Sequence, residues 1–408
     1  MDRTALTATL MALLVATAVL ASGAAGGGQP APSSPSAATD STSVPPKPTD
    51  NTSARMVIPA EDTSRATYAI AEPGLGTALT LAQDQFDDRQ RALRVETEFA
   101  ASSLDQRRSL VSAEKIRVDS GVRSLLDQHA AAIEAHNNGS IDEETLLRRL
   151  ARIDQRAREL GDRVSRLDDF ADEADILHFD DWVKQTRGEL AKLTGPVRQR
   201  IATTVRANDD LGQVYVETGT DALVLATMDG ETFLREAYVG SNRQTEGSRS
   251  LTDGAEAFDL LEEYYPWVEA NNDGEVEANG WGDTFRVTRP HAHGELVAHF
   301  DARSADVYYE VQRLQTDLLP TTEVESTTED GIEVRLNATY PGGPMRVETF
   351  DAGTGTPINA EVTVDGTPLG ETGDDGAAWI VEPSGSYLLV VSTPTTTIEV
   401  TVDPSDRS

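Results

Sequence analysis

A chain of 408 residues with 69 acidic against 35 basic side chains carries a net charge of -34, and lysine occurs only at Lys47, Lys115, Lys184 and Lys192. No basic stripe exists to neutralise phosphates, so nucleic acid is excluded as a partner. The absence of cysteine excludes disulfides, thiolate metal sites and a lipid anchor on a cysteine.

At the N-terminus, Arg3 precedes an apolar stretch from Ala5 to Leu20 that gives way to Ala21, Ser22, Gly23, Ala24 and Ala25. That order is a secretory signal over 1–25. Its apolar core is shorter than the roughly 20 residues of a spanning helix unless Ala21 to Ala25 extend it. Cleavage is the expectation, and an N-terminal membrane tether is the alternative if the signal is kept. Residues 26–72 are rich in Pro, Ser, Thr, Ala and Gly, a composition that buries too little to offset ordering entropy and predicts a disordered linker. Asn51, Asn138 and Asn337 each open a triplet of glycosylation-acceptor form.

Residues 73–208 read as helical and coiled-coil-like. Leu79, Phe86, Leu93 and Ala100 are seven apart, as are Leu104, Val111, Val118, Leu125 and Ala132, with a four-residue stutter between the two runs. His136 to Gly139 ends the second run, and Ser140 with Glu143 predicts a capping box for the next helix. That helix carries Leu146, Leu150, Ile153, Ala157, Leu160, Val164 and Leu167 at alternating four- and three-residue spacing, so the two helices should fold back as an antiparallel hairpin. A third helical region covers Asp172 to Leu193, and a last helix opens at Pro196.

Over 211–319 the pattern becomes α+β. Val214, Val216, Leu223, Leu225, Phe233 and Val239 alternate around an Asp229-Gly230 turn, a helix covers Asp253 to Tyr265, and three alternating runs follow at Phe285, Leu296 and Val307. A polar linker is expected at 321–330. Strands at Met345 to Phe350, Glu361 to Val364, Ala378 to Val381, Tyr387 to Val391 and Thr397 to Val402 predict an all-β sandwich over 331–404. The fold class is thus multi-domain α and β: a helical hairpin, an antiparallel sheet with a helix, and a β-sandwich, expected as separately folded modules.

Four resemblances attach to these residues. Acidic excess with scarce lysine resembles proteins of extremely halophilic archaea, whose surface repulsion is screened in molar salt at a Debye length of about 3 Å. The run Thr284 to Val287, then Gly294 to Ala302, then Val307 is similar to the strand pattern of PepSY-type domains, with Ala305 where that family carries glycine; the likeness implies protease inhibition. The order of linker, hairpin and Tyr265-Pro266-Trp267 domain resembles a family of uncharacterised exported haloarchaeal proteins, which implies compartment and architecture and no activity. Thr354 to Val364, Gly370 to Gly376 and Pro383 to Tyr387 resemble the carboxypeptidase regulatory-like or transthyretin-like β-sandwich, which implies a spacer or adhesion role.

Candidate chemistry is sparse. The chain has no phosphate-binding loop, no Gly-x-Ser-x-Gly and no His-Glu-x-x-His. His291, His293, Glu295 and His299 are metal-ligand types, but His299 lies some 13 Å along the return strand from the expected hairpin tip, at about 3.4 Å per residue. Solvated tip histidines are therefore expected. Asn271 to Glu275 lacks the ligand spacing of an EF-hand and reads as a turn, and Asp374-Asp375-Gly376 reads as a hairpin turn. No catalytic, cofactor-binding or metal residue is assigned. The expectation is a non-enzymatic exported protein of the cell envelope with an envelope or extracellular protein partner. The alternative is a regulator of extracellular proteases acting through the central domain.

Overall fold

A computed structural model describes residues 55–70, 75–207, 212–244 and 246–404. The predicted signal, the linker up to residue 54 and Asn51 lie outside the described residues. The chain begins with strand β1 (Thr63–Ile70), followed by helices α1 (Leu75–Ala101), α2 (Leu104–Asn137), α3 (Glu143–Glu173), α4 (Phe179–Ala191) and α5 (Pro196–Ala207). Next come β2 (Gln213–Gly219), β3 (Ala222–Asp229), β4 (Thr232–Val239), α6 (Gly254–Tyr264), α7 (Pro266–Ala270), β5 (Glu277–Trp281), β6 (Thr284–His291), β7 (Gly294–Asp301) and β8 (Val307–Gln315). Eight further strands close the chain: β9 (Thr322–Glu329), β10 (Ile332–Ala338), β11 (Pro344–Asp351), β12 (Glu361–Val364), β13 (Thr367–Glu371), β14 (Ala377–Val381), β15 (Tyr387–Ser392) and β16 (Thr397–Val402). Among the described residues, no helix is long and apolar enough to cross a membrane.

The centre is an antiparallel sheet of order β1-β2-β3-β4-β8-β7-β6-β5. Alternation along its strands sends side chains to two buried faces. On one, Val214, Val216, Leu223, Leu225 and Leu234 pack against Leu146, Leu147 and Leu150 of α3 and Val197, Ile201 and Val205 of α5. On the other, Val224, Phe233, Val287, Leu296 and Phe300 pack against Leu261 of α6, Trp267 of α7 and the N-terminal Met56 and Ile58. Each fully buried aliphatic side chain contributes about 1.5–3 kcal/mol, and the two cores share the one sheet, giving three layers. The helical and α+β parts are therefore not separately folded, contrary to the modular expectation, and all described residues fall in one compact unit.

The C-terminal sandwich stacks sheets β14-β11-β10-β9 and β13-β12-β15-β16 around Val334, Leu336, Val347, Val362, Leu389 and Ile398. It is tied to the central sheet by hydrogen bonds from Tyr340 Oη to Gln312 Oε1 (2.7 Å) and from Ser384 Oγ to Glu217 Oε2 (2.9 Å).

Several local expectations are corrected. Both predicted linkers contain strands: Thr63–Ile70 pairs along β2, and Thr322–Glu329 pairs along β10. These are edge strands, stabilised by the main-chain ladder of their neighbour, so they need few apolar side chains of their own. The expected stutter near Ala100 is a chain reversal instead. Ser103 caps α2 in a capping box with Gln106, and α1 runs alongside α3 in the same direction, with Leu81 near Gln155, Asp88 near Arg163 and Phe99 stacked on Phe170. The hairpin of α2 and α3 is antiparallel as expected, Arg108 of α2 reaching the carbonyl of Ala174 just beyond α3. The cap of α3 is Asp142, which accepts from Thr145 N at 2.8 Å, and not Ser140 with Glu143. The segment Asp374 to Gly376 is a turn linking β13 of one sheet to β14 of the other, not a hairpin.

Candidate functional site

Where the helical layer meets the β5–β8 half of the sheet, packing is incomplete and leaves a cleft of about 300 Å³. Its sheet side is built by register. Arg286 of β6 opposes His299 of β7, which opposes Tyr309 of β8; one step along, Val297 opposes Val311. Its helical side is Arg158 and Gly161 of α3, Arg187 and Leu190 of α4, and the Thr194-Gly195 turn that opens α5. Tyr309 Oη donates to the Thr194 carbonyl, joining the two sides.

The charges here are one-sided. Arg158, Arg187, Arg286 and Arg313 line the cleft, and no carboxylate does, although only about a third of the chain's charged residues are basic. Arg158 is held by both oxygens of Asp154 at 2.8 and 2.9 Å, and Asp154 also accepts from Gly195 N at 2.9 Å. Arg313 pairs with Glu295 at 2.7 Å. Arg187 donates to Ser165 Oγ at 3.2 Å, and the Arg286 guanidinium lies 5.7 Å from the Trp281 ring centroid. Among the described residues, neither Arg187 nor Arg286 has a carboxylate within ion-pair distance. His299 is 3% exposed, and its Nδ1 is buried without a hydrogen-bond partner. Burial, and then Arg286, push the imidazole down to about 3, so it is neutral at ordinary pH and is a weak base.

Of the histidines expected to be solvated at a hairpin tip, His291 is buried and His293 is half-buried. His291 is 5% exposed, and its ring and that of His293 lie 5.6 and 5.0 Å from the Trp267 ring. His299 belongs to a different group, 5.3 Å from the Tyr309 ring. The reason is α7, which the strand pattern did not reveal and which brings Trp267 over the tip. Glu295 is engaged by Arg313. Asn271 to Glu275 is a loop whose Asp273 N donates to the Pro290 carbonyl. Asn138 is exposed just after α2, whereas Asn337 is half-buried in β10 and donates to Glu348 Oε2 at 2.7 Å.

A second cluster fixes the opposite sheet face. Glu310 of β8 accepts from Arg235 Nη1 (2.7 Å), Tyr265 Oη (2.8 Å), Met56 N (2.6 Å) and Gln312 Nε2 (3.1 Å). Between α5 and β4, Arg198 Nε donates to Glu236 Oε1 at 2.6 Å with both side chains buried.

A third feature is the outer face of α1. Leu79, Phe86 and Leu93 are 60, 55 and 64% exposed. The expected seam therefore does not pack against this chain. The helix docks instead through Leu81, Phe99 and two aspartates: Asp84 receives Arg152 and Arg156 at 2.8 Å each, and Asp88 pairs with Arg163. Sequence reading missed the arginine cleft because its residues come from seven elements, α3 to α5 and β5 to β8, with no shared motif. The available signal was Arg286 set between Phe285 and Val287 of β6.

The fold is that of a multidomain α and β protein ending in a β-sandwich. Residues 3–210 match a domain of unknown function (DUF7096), residues 214–320 a family of unknown function (DUF7094), and residues 323–400 an archaeal fibronectin-III type-like domain. The first match spans half of the chain, and the chain belongs to the DUF7096 family. The sandwich expected at the C-terminus is thus matched as fibronectin-III type-like. No curated protein and no solved structure matches the chain significantly.

Proposed function

We propose that the chain is a non-enzymatic exported protein of the cell envelope that presents an interaction surface to another envelope or extracellular protein. The observation that carries this reading is the row Leu79, Phe86 and Leu93, solvent-exposed at seven-residue spacing on a helix already anchored by its other face. Such a row matches the apolar stripe of a second helix, so the partner surface is helical. The signal-like first 25 residues and the fibronectin-type sandwich support the compartment and the presenting role. The arginine cleft lacks a carboxylate, and its imidazole is a weak base, which favours binding over acid–base chemistry.

The test is crosslinking in intact cells, comparing the parent with Phe86→Asp. The parent should fractionate with the envelope and capture a partner that the variant loses, while both melt alike because Phe86 is exposed. Recovery in the cytosol, or an unchanged set of crosslinked partners, would refute the proposal; capture of a second copy alone would replace the foreign partner by self-association. The alternative of protease regulation rests on the strand pattern of β6–β8, and no contact in the central domain favours it.

A further inference from the structure

We propose that the cleft between α3–α5 and β6–β8 binds a small oxyanion ligand, one carrying a carboxylate, sulfate or phosphate group on a body no larger than a sugar ring. The inference is independent of the α1 surface. Two half-buried arginines, Arg187 and Arg286, line one cavity without a carboxylate, in a chain with twice as many acids as bases. Like charges gathered at a partly desolvated site repel one another, and the plainest way to relieve this in an acid-rich chain is a nearby Asp or Glu, as Asp154 and Glu295 do for Arg158 and Arg313. Arg187 feels Asp168 only from beyond ion-pair distance, and no carboxylate pairs with Arg286 among the described residues, so an exogenous oxyanion fits between them. Guanidinium forks match a planar or tetrahedral oxyanion through paired N–H donors, which chloride does not reproduce.

The buried Nδ1 of His299, without a partner, is the second observation. His299 lines the same cavity, but its Nδ1 is closed to solvent, so a ligand oxygen reaches that atom only once the imidazole ring turns towards the cleft. The floor is apolar at Val297, Val311 and Leu190, and Trp281 flanks Arg286, so the ligand body meets an aromatic and aliphatic wall. A volume of about 300 Å³ is the small end of ligand sites, which restricts the body to about one ring.

The test titrates the full chain with sodium sulfate, sodium phosphate, glucuronate and glucose, at constant high ionic strength made up with sodium chloride. Binding is read by calorimetry and by tryptophan fluorescence, with Trp281→Phe identifying the responding residue. At least one oxyanion should bind saturably with a Kd of millimolar or below, and glucose should not. Sulfate or phosphate binding tighter than glucuronate assigns a free inorganic anion; the reverse order assigns an organic acid. The double variant R187A/R286A should weaken binding at least about tenfold, equivalent to about 1.4 kcal/mol, with its melting temperature kept because neither arginine holds a carboxylate. R187K/R286K, which keeps charge without the fork, should fall between. Absence of saturation by every anion at about 10 mM, ten times the weakest Kd expected, or equal affinity of parent and R187A/R286A, overturns the proposal.

Discussion

Glu310→Gln is the most informative single perturbation of the fold. The native carboxylate takes four hydrogen bonds, from Arg235, Tyr265, Gln312 and the main chain of Met56, and Arg235 also donates to the Met56 carbonyl. Burial raises the Glu310 pKa even against the pull of Arg235, so the charge is retained at a cost and exists to balance the guanidinium. The amide keeps the shape and one acceptor oxygen, but it leaves Arg235 as an uncompensated buried cation. Removing one partner of such a pair costs about 3–5 kcal/mol, and the retained oxygen argues for the lower end, about 3 kcal/mol. With an unfolding entropy of roughly 2.1 cal/mol/K per residue over about 340 described residues, that lowers Tm by about 4 °C. The local effect should exceed the global one, because Met56 loses both main-chain anchors' geometry and the segment 55–58 peels from the sheet. Calorimetry gives the first readout, and trypsin cleavage after Arg55 gives the second. Asp180→Asn, which breaks only the exposed pair with Lys184, is the control and should change neither. A variant that melts within about 1 °C of the parent and resists cleavage at Arg55 would refute the account of this cluster.

Three further outcomes follow from particular contacts. Gly195→Ala places a Cβ 1.5 Å from Glu236 Oε2, a carboxylate locked by Arg198, so a loss of about 3 kcal/mol in chemical denaturation is expected, the upper end for overpacking. His291 and His299 are held down to about 4 and about 3, so below about pH 6.5 the unfolded chain takes up protons that the folded one refuses. Stability should fall by about 3 kcal/mol between pH 6.5 and 5 from these two groups; because burial also holds His129 well below its ordinary value, His299→Phe should flatten the slope of Tm against pH by about a third. Dilution from molar salt to about 0.1 M lengthens the Debye length from about 3 to about 10 Å; circular dichroism should show loosening, and a constant spectrum contradicts the salt-screening reading of the acidic surface.

The helical hairpin was legible because α3 keeps an unbroken apolar spacing: Leu146, Leu150, Ile153, Ala157, Leu160, Val164 and Leu167 are all buried. On α1 the same logic selects the wrong face. There the docking residues include Asp84 and Asp88, and acid–arginine contacts carry no hydrophobic period, while the periodic Leu79, Phe86 and Leu93 face outward. The strands β1 and β9 were hidden because edge strands draw on a neighbour's main chain, and nothing in Thr63–Ile70 names β2 as that neighbour. The cleft was illegible for a related reason. Arg187 and Arg286 are brought together only by tertiary packing, and no local pattern anticipates which of many arginines lack a paired carboxylate.

The strand Thr63–Ile70 and its mate Gln213–Gly219 flank the entire helical layer. The polypeptide commits one thread to the sheet, departs for about 140 residues, and must return before that thread is secured, a closure that sequence-distant pairing makes slow. A fragment ending at residue 210 would keep the lone thread and lose what it zips to, leaving Leu146, Leu147 and Leu150 bare. The inherited segment and the unit able to fold by itself are therefore different lengths of this chain, and expression of the first alone should yield aggregate, whereas extension through Gln315 should yield soluble protein.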